Sequence, residues 1–136
     1  SQLVQAIKNI QSHSTSNPAS ISQMAALEAL NNSGTIVSEM RNEFEKRRDY
    51  IVDRINKIKG LSCLKPEGAF YVFCRIKKKG LSSLEVADRL LNEVKVAVVP
   101  GKVFGSDRHI RLSFATSMEN IKKGIDRIEG WFSKNG

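Results

Sequence analysis

One arginine holds the position that most clearly invites chemistry. Arg111 lies in a short alternating run, in which Ile110, Leu112 and Phe114 face one side of a predicted strand and Arg111 faces the other. A guanidinium between apolar neighbours requires an anion, because burying an unpaired charge is costly. Two partners are consistent with the sequence. One is a structural Asp or Glu, and the other is a ligand carboxylate held by two parallel hydrogen bonds.

The histidines and cysteines give less support for a reactive centre. Neither His13 nor His109 has the partners of a hydrolase triad at a meaningful spacing, and we expect both to be exposed and inert. With two cysteines and no Cys-x-x-Cys pair, no metal site is expected. Cys63 and Cys74 are interpreted as buried free thiols, with a disulfide between adjacent strands as the alternative.

The charge and composition limit the classes of partner. The net charge of +8 favours polyanions in a non-specific way, and Lys77, Lys78 and Lys79 form a basic run that is more typical of a solvated loop. No RNA-binding signature, Walker loop or dinucleotide-binding glycine pattern is present, so a nucleic acid is not an expected partner. No apolar run approaches the roughly 20 residues of a membrane helix.

The first part of the chain is predicted to be helical. It starts within a helical pattern and not at a Met, so we expect a piece of a longer protein. A polar loop follows at residues 12–17, and Asn17 and Pro18 then predict the start of a helix that is apolar on most sides and requires more burial than this chain supplies. We assign a helical tail to residues 1–33, a long connecting helix to 34–59 and a small domain to 60–136.

The small domain is predicted to be α/β, with a three- to four-stranded sheet covered by helices. Strands are expected at residues 61–64, 69–76, 96–99 and 110–115. Ser82 and Glu85 form a capping box, and Thr116 or Ser117 caps the last helix. The apolar stripes expected to be buried are Val86, Leu90, Leu91 and Val94 in the first of these helices and Ile121, Ile125, Ile128 and Phe132 in the last.

Four segments carry a family pattern. They read STSNP at residues 14–18 with Gln23 and LEAL at 27–30, KPEGAFY at 65–71, VAVVPG at 96–101 with Phe104-Gly105, and IRLSFA at 110–115. Each segment alone is weak evidence, but their order and spacing cover nearly the whole chain. Together they resemble the C-terminal third of class I, fold type I, pyridoxal-phosphate-dependent aminotransferases, above all the bacterial-type aspartate aminotransferases.

The resemblance implies roles for two residues. In that family, the arginine of the Arg-Leu-Ser-[Phe/Tyr]-Ala strand binds the α-carboxylate of the substrate, and Arg111 matches it. The strand that begins Gly-Ala-Phe lines the substrate pocket, so Phe70 is expected to touch substrate, with plain core packing as the alternative.

The resemblance also implies a longer, cytoplasmic, homodimeric enzyme that uses pyridoxal phosphate. Its amino acid and 2-oxo acid substrates would react by ping-pong transamination, with aspartate or a related amino acid as donor and 2-oxoglutarate as acceptor. In the family, the Schiff-base lysine and most cofactor ligands precede the position of Ser1. We therefore expect no catalytic or cofactor-binding residue in this chain, no cofactor bound to it, and no activity of the chain alone.

Two departures from the family pattern bear on specificity and on one loop. Some aspartate aminotransferases have an arginine for the distal carboxylate where this chain has Ser12, so aspartate specificity would need another cation upstream. Residues 105–108 read GSDR where the family is often richer in glycine. The alternatives are a related pyridoxal-phosphate lyase or decarboxylase, and a free-standing basic α/β binding module with a nucleic-acid or regulatory role.

Overall fold

The computed structural model describes residues 1–32, 34–77 and 80–135, and the chain divides into two compact units, Ser1–Glu39 and Met40–Gly136. Lys78 and Lys79 of the basic run lie outside the described residues. The first three helices are α1 (Gln2–Ser14), α2 (Ser20–Asn32) and α3 (Gly34–Lys57). Within the described ranges, no helix combines the length and apolar character that crossing a membrane requires.

The first unit presents apolar side chains to solvent. Helices α1 and α2 contain no buried residue, and Ile21 and Leu30 of α2 are 84% and 82% exposed. This confirms the prediction that the second helix requires more burial than this chain supplies.

The polar loop after α1 is shorter than predicted. Helix α1 continues to Ser14, whose hydroxyl donates a hydrogen bond to the carbonyl of Ile10, and this back-bonding accommodates a polar residue within the last turn. Helix α2 begins at Ser20, two residues beyond Pro18. The carbonyl of Pro18 accepts a hydrogen bond of 2.8 Å from the side chain of Gln23.

The second unit is built on an antiparallel four-stranded sheet. Its strands are β1 (Leu61–Cys63), β2 (Tyr71–Ile76), β3 (Val99–Pro100) and β4 (His109–Ser113), in the spatial order β1-β2-β4-β3. Helix α4 (Ser83–Val94) connects β2 to β3 in the chain, and α5 (Met118–Asn135) follows β4. The predicted α/β fold class is confirmed.

The core of this unit lies on one face of the sheet. Alternate residues of β2 and β4 point into it, where they meet the apolar stripes of α4, α5 and the second half of α3. The stripe of α5 is buried as predicted, and Trp131 joins it. Leu91 of α4 was predicted to be buried but is 50% exposed, because it lies about 100° around the helix from its buried neighbour Leu90.

The predicted starts of α4 and α5 are confirmed, whereas the predicted start of α2 at Asn17 and Pro18 is wrong. Ser82 and Glu85 form the capping box of α4, in which each side chain bonds to the backbone N–H of the other residue. Of the two candidates for the cap of α5, Ser117 is the one that accepts the backbone N–H of Asn120.

Strand β3 begins later than predicted because the chain first closes helix α4. Lys95 adopts a left-handed conformation with φ of 59°, and the N–H of Val96 donates to the carbonyl of Leu90. The N–H of Lys95 also donates to the carbonyl of Leu91, which is the hydrogen bond of the αL type of helix end. Residues 96–98 therefore connect the end of the helix to the strand, and only Val99 and Pro100 pair with β4.

A single 3₁₀ turn, Gly101–Phe104, follows β3 and is tied to the start of α4. The buried hydroxyl of Ser83 donates to Asp107 Oδ1 at 2.7 Å and accepts the backbone N–H of Lys102 at 3.1 Å. The backbone N–H of Ser83 donates to the same carboxylate at 3.0 Å. Because these bonds favour the charged form, they lower the pKa of Asp107.

Gly101 packs closely against the backbone of Ser106 and His109. A Cβ atom there would overlap the backbone carbonyl oxygens of Ser106 and His109, neither of which is the flexible end of a side chain. We therefore expect Gly101→Ala to lower the free energy of unfolding by about 1 to 3 kcal/mol, as overpacking does. Urea denaturation followed by the fluorescence of Trp131, the single and buried tryptophan, measures this.

Gly130→Ala is the matched control. Nothing lies within 4 Å of a Cβ at this exposed position of α5, so alanine should raise the free energy of unfolding by about 0.5 to 1 kcal/mol. A Gly101→Ala chain as stable as the wild type would contradict the close approach.

Candidate functional site

Arg111 lies near the middle of the sheet face that is turned away from the core. In register it faces Phe73 of β2 on one side and Val99 of β3 on the other. The guanidinium carbon lies 4.2 Å from the centroid of the Tyr71 ring and 4.5 Å from that of the Phe104 ring. Two aromatic rings therefore hold the cation by cation–π contacts.

No carboxylate of the described residues forms an ion pair with Arg111. The ion pairs found in residues 1–32, 34–77 and 80–135 all involve other cations. A cation–π contact does not use an N–H donor of the guanidinium in a hydrogen bond, so these groups can still donate to an anion. Of the two partners considered from the sequence, the structural Asp or Glu is therefore wrong for this part of the chain.

His109 is half-buried, contrary to the prediction that it is exposed. Its ring stacks on Phe73 with centroids 4.6 Å apart and an angle of 3° between the planes, and its Nδ1 lies 2.7 Å from the hydroxyl of Ser106. Burial, together with the nearby charge of Arg75, lowers the pKa of His109 below 6.5. His109 is therefore a neutral member of this face at pH 7.

Aromatic rings surround Arg111 on this face of the sheet. Phe73 meets Phe104 edge-on at 6.2 Å, and Tyr71 and Phe104 touch the guanidinium. Tyr71 and Phe104 were not identified from the sequence as partners of Arg111. A signal for Tyr71 was present, because Tyr71 and Phe73 alternate along β2 with the buried Val72 and Cys74.

Phe70 lies at the end of the hairpin loop that leads into β2. Its ring is 40% exposed and stands 4.3 Å from the ring of Tyr71 and 6.5 Å from that of Phe44, by centroids. The carbonyl of Phe70 accepts the N–H of Phe114 at 2.9 Å, which fixes its backbone against the end of β4. Phe70 is therefore next to Tyr71, and a large part of its ring is accessible.

A cavity of about 550 Å³ opens on the same face, beyond Tyr71. Its walls include Pro66 and Leu64 of the hairpin loop and Tyr71, Phe73 and His109 of the sheet. Arg75 is the charged residue of its lining. The space is therefore mainly apolar, with one cation at its edge.

The lysines of the described residues are the amines that could attach a cofactor covalently, and an amine that does so is usually activated by burial or by a cationic neighbour. Every lysine of the described ranges is exposed, and Lys57, Lys65 and Lys123 pair with carboxylates. Within the same ranges no three His, Cys, Asp or Glu side chains cluster in a way that would hold a metal ion.

Comparison with known families decides the assignment of this fold. The model of the family described as "Aminotransferase class I and II" matches residues 1–128. This chain belongs to the class I and II aminotransferases. The match also favours the enzyme interpretation over a free-standing basic binding module.

The related aminotransferases are all longer than this chain. It is 43% identical to the aspartate aminotransferase of Bacillus subtilis, over 98% of this chain and 35% of that protein. The crystal structure of the Rhizobium meliloti aspartate aminotransferase matches 97% of this chain at a TM-score of 0.89 and 37% identity, and the chain covers 36% of that structure. The crystal structure of the Pyrococcus horikoshii aromatic aminotransferase matches 93% of this chain at a TM-score of 0.86 and 37% identity, and the chain covers 35% of it. The chain thus spans about a third of its relatives.

We expect Arg75→Ala to raise the pKa of His109, because it removes a like charge that opposes protonation. The wild-type ring should titrate below 6.5, so the stability contributed by His109 is present above that pH and is lost as the pH falls through its folded pKa. NMR titration of the His109 ring signals, assigned with the His13→Gln variant, measures the pKa of His109 in the wild type and in Arg75→Ala.

The exposed Arg108 supplies the control for this titration, since Arg108→Ala removes one charge without removing the cation that faces the ring. A wild-type pKa at or above 6.5, or equal values in the wild type and Arg75→Ala, would contradict the described environment of His109.

Proposed function

We propose that this chain is the C-terminal part of a pyridoxal-phosphate-dependent aminotransferase that moves the amino group of aspartate, or a related amino acid, to 2-oxoglutarate in a ping-pong cycle. Arg111 binds the α-carboxylate of the substrate. The supporting observation is a guanidinium that touches two aromatic rings and pairs with no carboxylate of the described residues.

The environment of Arg111 suits a carboxylate ligand. A planar guanidinium offers two parallel N–H donors that match the two oxygens of a carboxylate. The rings of Tyr71 and Phe104 displace water from the guanidinium, and lower local polarity strengthens its attraction for an incoming anion. Strand β4 has a neighbour on each side, so the backbone that carries Arg111 is held in place.

Binding of the α-carboxylate by Arg111 orients the substrate. Pyridoxal phosphate, when bound, supplies the electron sink that stabilises the negative charge left at Cα after proton removal. By gripping both oxygens of the α-carboxylate, Arg111 fixes the direction of the Cα–H bond of the substrate. Orientation of this kind contributes a large share of many enzymatic rate enhancements.

Phe70 is proposed to touch the substrate. Its ring contacts that of Tyr71, which itself contacts Arg111, and the residue is 40% exposed. A side chain that served only the core would be buried, as Phe114 is.

We assign the covalent attachment of the cofactor to a part of the enzyme outside this chain. The exposed lysines described above support this assignment, as does the family resemblance, in which the attachment lysine precedes the matched region. We therefore propose that the chain alone is inactive and that the complete enzyme is a cytoplasmic homodimer.

Aspartate is the preferred donor in this proposal because proteins named as aspartate aminotransferases match nearly the whole chain. A structure named as an aromatic aminotransferase matches almost as well. With Ser12 at the position where some relatives carry an arginine, the cation for a distal carboxylate is proposed to lie outside this chain.

Arg111→Lys tests the proposal in the full-length gene product. Lysine keeps the positive charge but cannot form two parallel hydrogen bonds, so kcat/KM for the amino acid should fall about ten- to a hundredfold, which corresponds to the loss of one charge-assisted hydrogen bond. Steady-state transamination rates with aspartate and 2-oxoglutarate measure this change.

Arg108→Lys makes the same chemical change at an exposed position three residues away and should leave kcat/KM unchanged. Undiminished turnover in Arg111→Lys would contradict the carboxylate role. Absence of transamination in the full-length wild type would contradict the proposed function itself.

A further inference from the structure

Cys63 and Cys74 form a pair that the proposed transamination does not use. They are partners in the register of β1 and β2, and both are free thiols. Cys74 is fully buried in the core, whereas Cys63, the last residue of β1, is half-buried. One thiol of the pair is therefore accessible and the other is protected.

The backbone hydrogen bonds place this pair at a narrow position of the ladder. Lys77 N–H donates to the carbonyl of Gly60 at 2.8 Å, so these two residues form a hydrogen-bonded pair. Because such pairs alternate in an antiparallel ladder, Cys63 and Cys74, three pairs further along, form a non-hydrogen-bonded pair. The Cα atoms of such pairs are about 4.5 Å apart, and disulfides span Cα separations of about 4.4 to 6.8 Å.

Asn56 supports this assignment and holds Cys63 in place. In a narrow pair each residue turns its N–H and C=O away from the opposite strand. Both groups of Cys63 bind the side-chain amide of Asn56, with its N–H donating to Oδ1 at 3.0 Å and its carbonyl accepting from Nδ2 at 3.1 Å. The strand end is therefore fixed opposite Cys74.

Cys63, the more exposed of the two thiols, is also the more acidic one. Contact with the Cys74 thiol lowers the pKa of Cys63, and contact with Cys63 together with burial raises the pKa of Cys74. The accessible cysteine is thus the better nucleophile toward an external oxidant, since the thiolate is the reactive form.

We propose that Cys63 and Cys74 are a reversible modification site, at which a small disulfide such as glutathione disulfide oxidises the dithiol to a cross-strand disulfide. The Cys63 thiolate attacks one sulfur of glutathione disulfide, and the S–S bond breaks to release a glutathione thiolate, which takes the proton that Cys63 lost. The sulfur of Cys74 then attacks that of Cys63 and displaces the second glutathione, which takes the Cys74 proton. Two protein thiols are oxidised, and one glutathione disulfide is reduced to two thiols.

The bridge joins the two ends of the hairpin loop. Residues 64–73 lie between the two sulfurs, including Ala69, which adopts a left-handed φ of 60°. Oxidation therefore reduces the freedom of this loop in the unfolded chain and opposes the separation of β1 from β2. In a reducing compartment the pair stays a dithiol, and it closes under oxidative challenge.

The test treats the folded chain with glutathione disulfide, alkylates remaining thiols under denaturing conditions, and measures intact mass. The expected product loses two hydrogen atoms, carries no alkyl group or glutathione, and remains a single chain on a non-reducing gel. Dithiothreitol should restore both thiols, and the urea midpoint of the oxidised chain should shift upward. A wild type that stays doubly alkylated, keeps glutathione, or cross-links to a second chain would overturn the proposal.

Two variants separate the roles of the cysteines. Cys74→Ala should stop at the mixed disulfide and keep one glutathione on Cys63. Cys63→Ser changes a half-buried side chain and should lose reactivity in the folded state, because its remaining thiol is buried. If Cys63→Ser reacts with glutathione disulfide as fast as the wild type, Cys63 is not the attacking residue and the mechanism is overturned.

Discussion

The antiparallel pairing of β2 with β4 determines which side chains meet on each face of the sheet. Its register puts Phe73 opposite Arg111 and Tyr71 opposite Ser113, while Val72 and Leu112 face the core. A shift by one residue would turn Arg111 into the core and expose its apolar neighbours, so burial of one face fixes the position of the guanidinium on the other. The register thus places Arg111 on the face turned away from the core, where no carboxylate of the described residues pairs with it.

The second aromatic contact of Arg111 depends on the turn before β4. Phe104 ends the 3₁₀ turn that begins at Gly101, where a side chain would meet two carbonyl groups. Ser83, buried at the first turn of α4, binds both Lys102 and Asp107 and so anchors the turn to the helix. The sheet supplies Tyr71 and this anchored turn supplies Phe104, so two separate elements hold one guanidinium.

Features set by local periodicity were predictable from the sequence, whereas features set by tertiary contact were not. The face of Arg111, the capping box at Ser82 and the stripe of α5 follow from spacing alone and are confirmed. The late start of β3 was missed because Lys95 closes its helix in a left-handed conformation, which favours glycine. His109 was expected to be exposed because Phe73, on which its ring stacks, meets it only after β4 pairs with β2.

Arg111 is proposed to bind the α-carboxylate and no other part of the substrate. The most direct measurement compares aspartate with β-alanine, which is aspartate without that carboxylate, in the amino-donor half-reaction of the full-length enzyme and its Arg111→Leu variant. If Arg111 binds the α-carboxylate, the wild type strongly prefers aspartate, and the variant loses most of this preference through a slower reaction with aspartate, with little change for β-alanine. An equal preference in both enzymes would show that Arg111 does not bind the α-carboxylate.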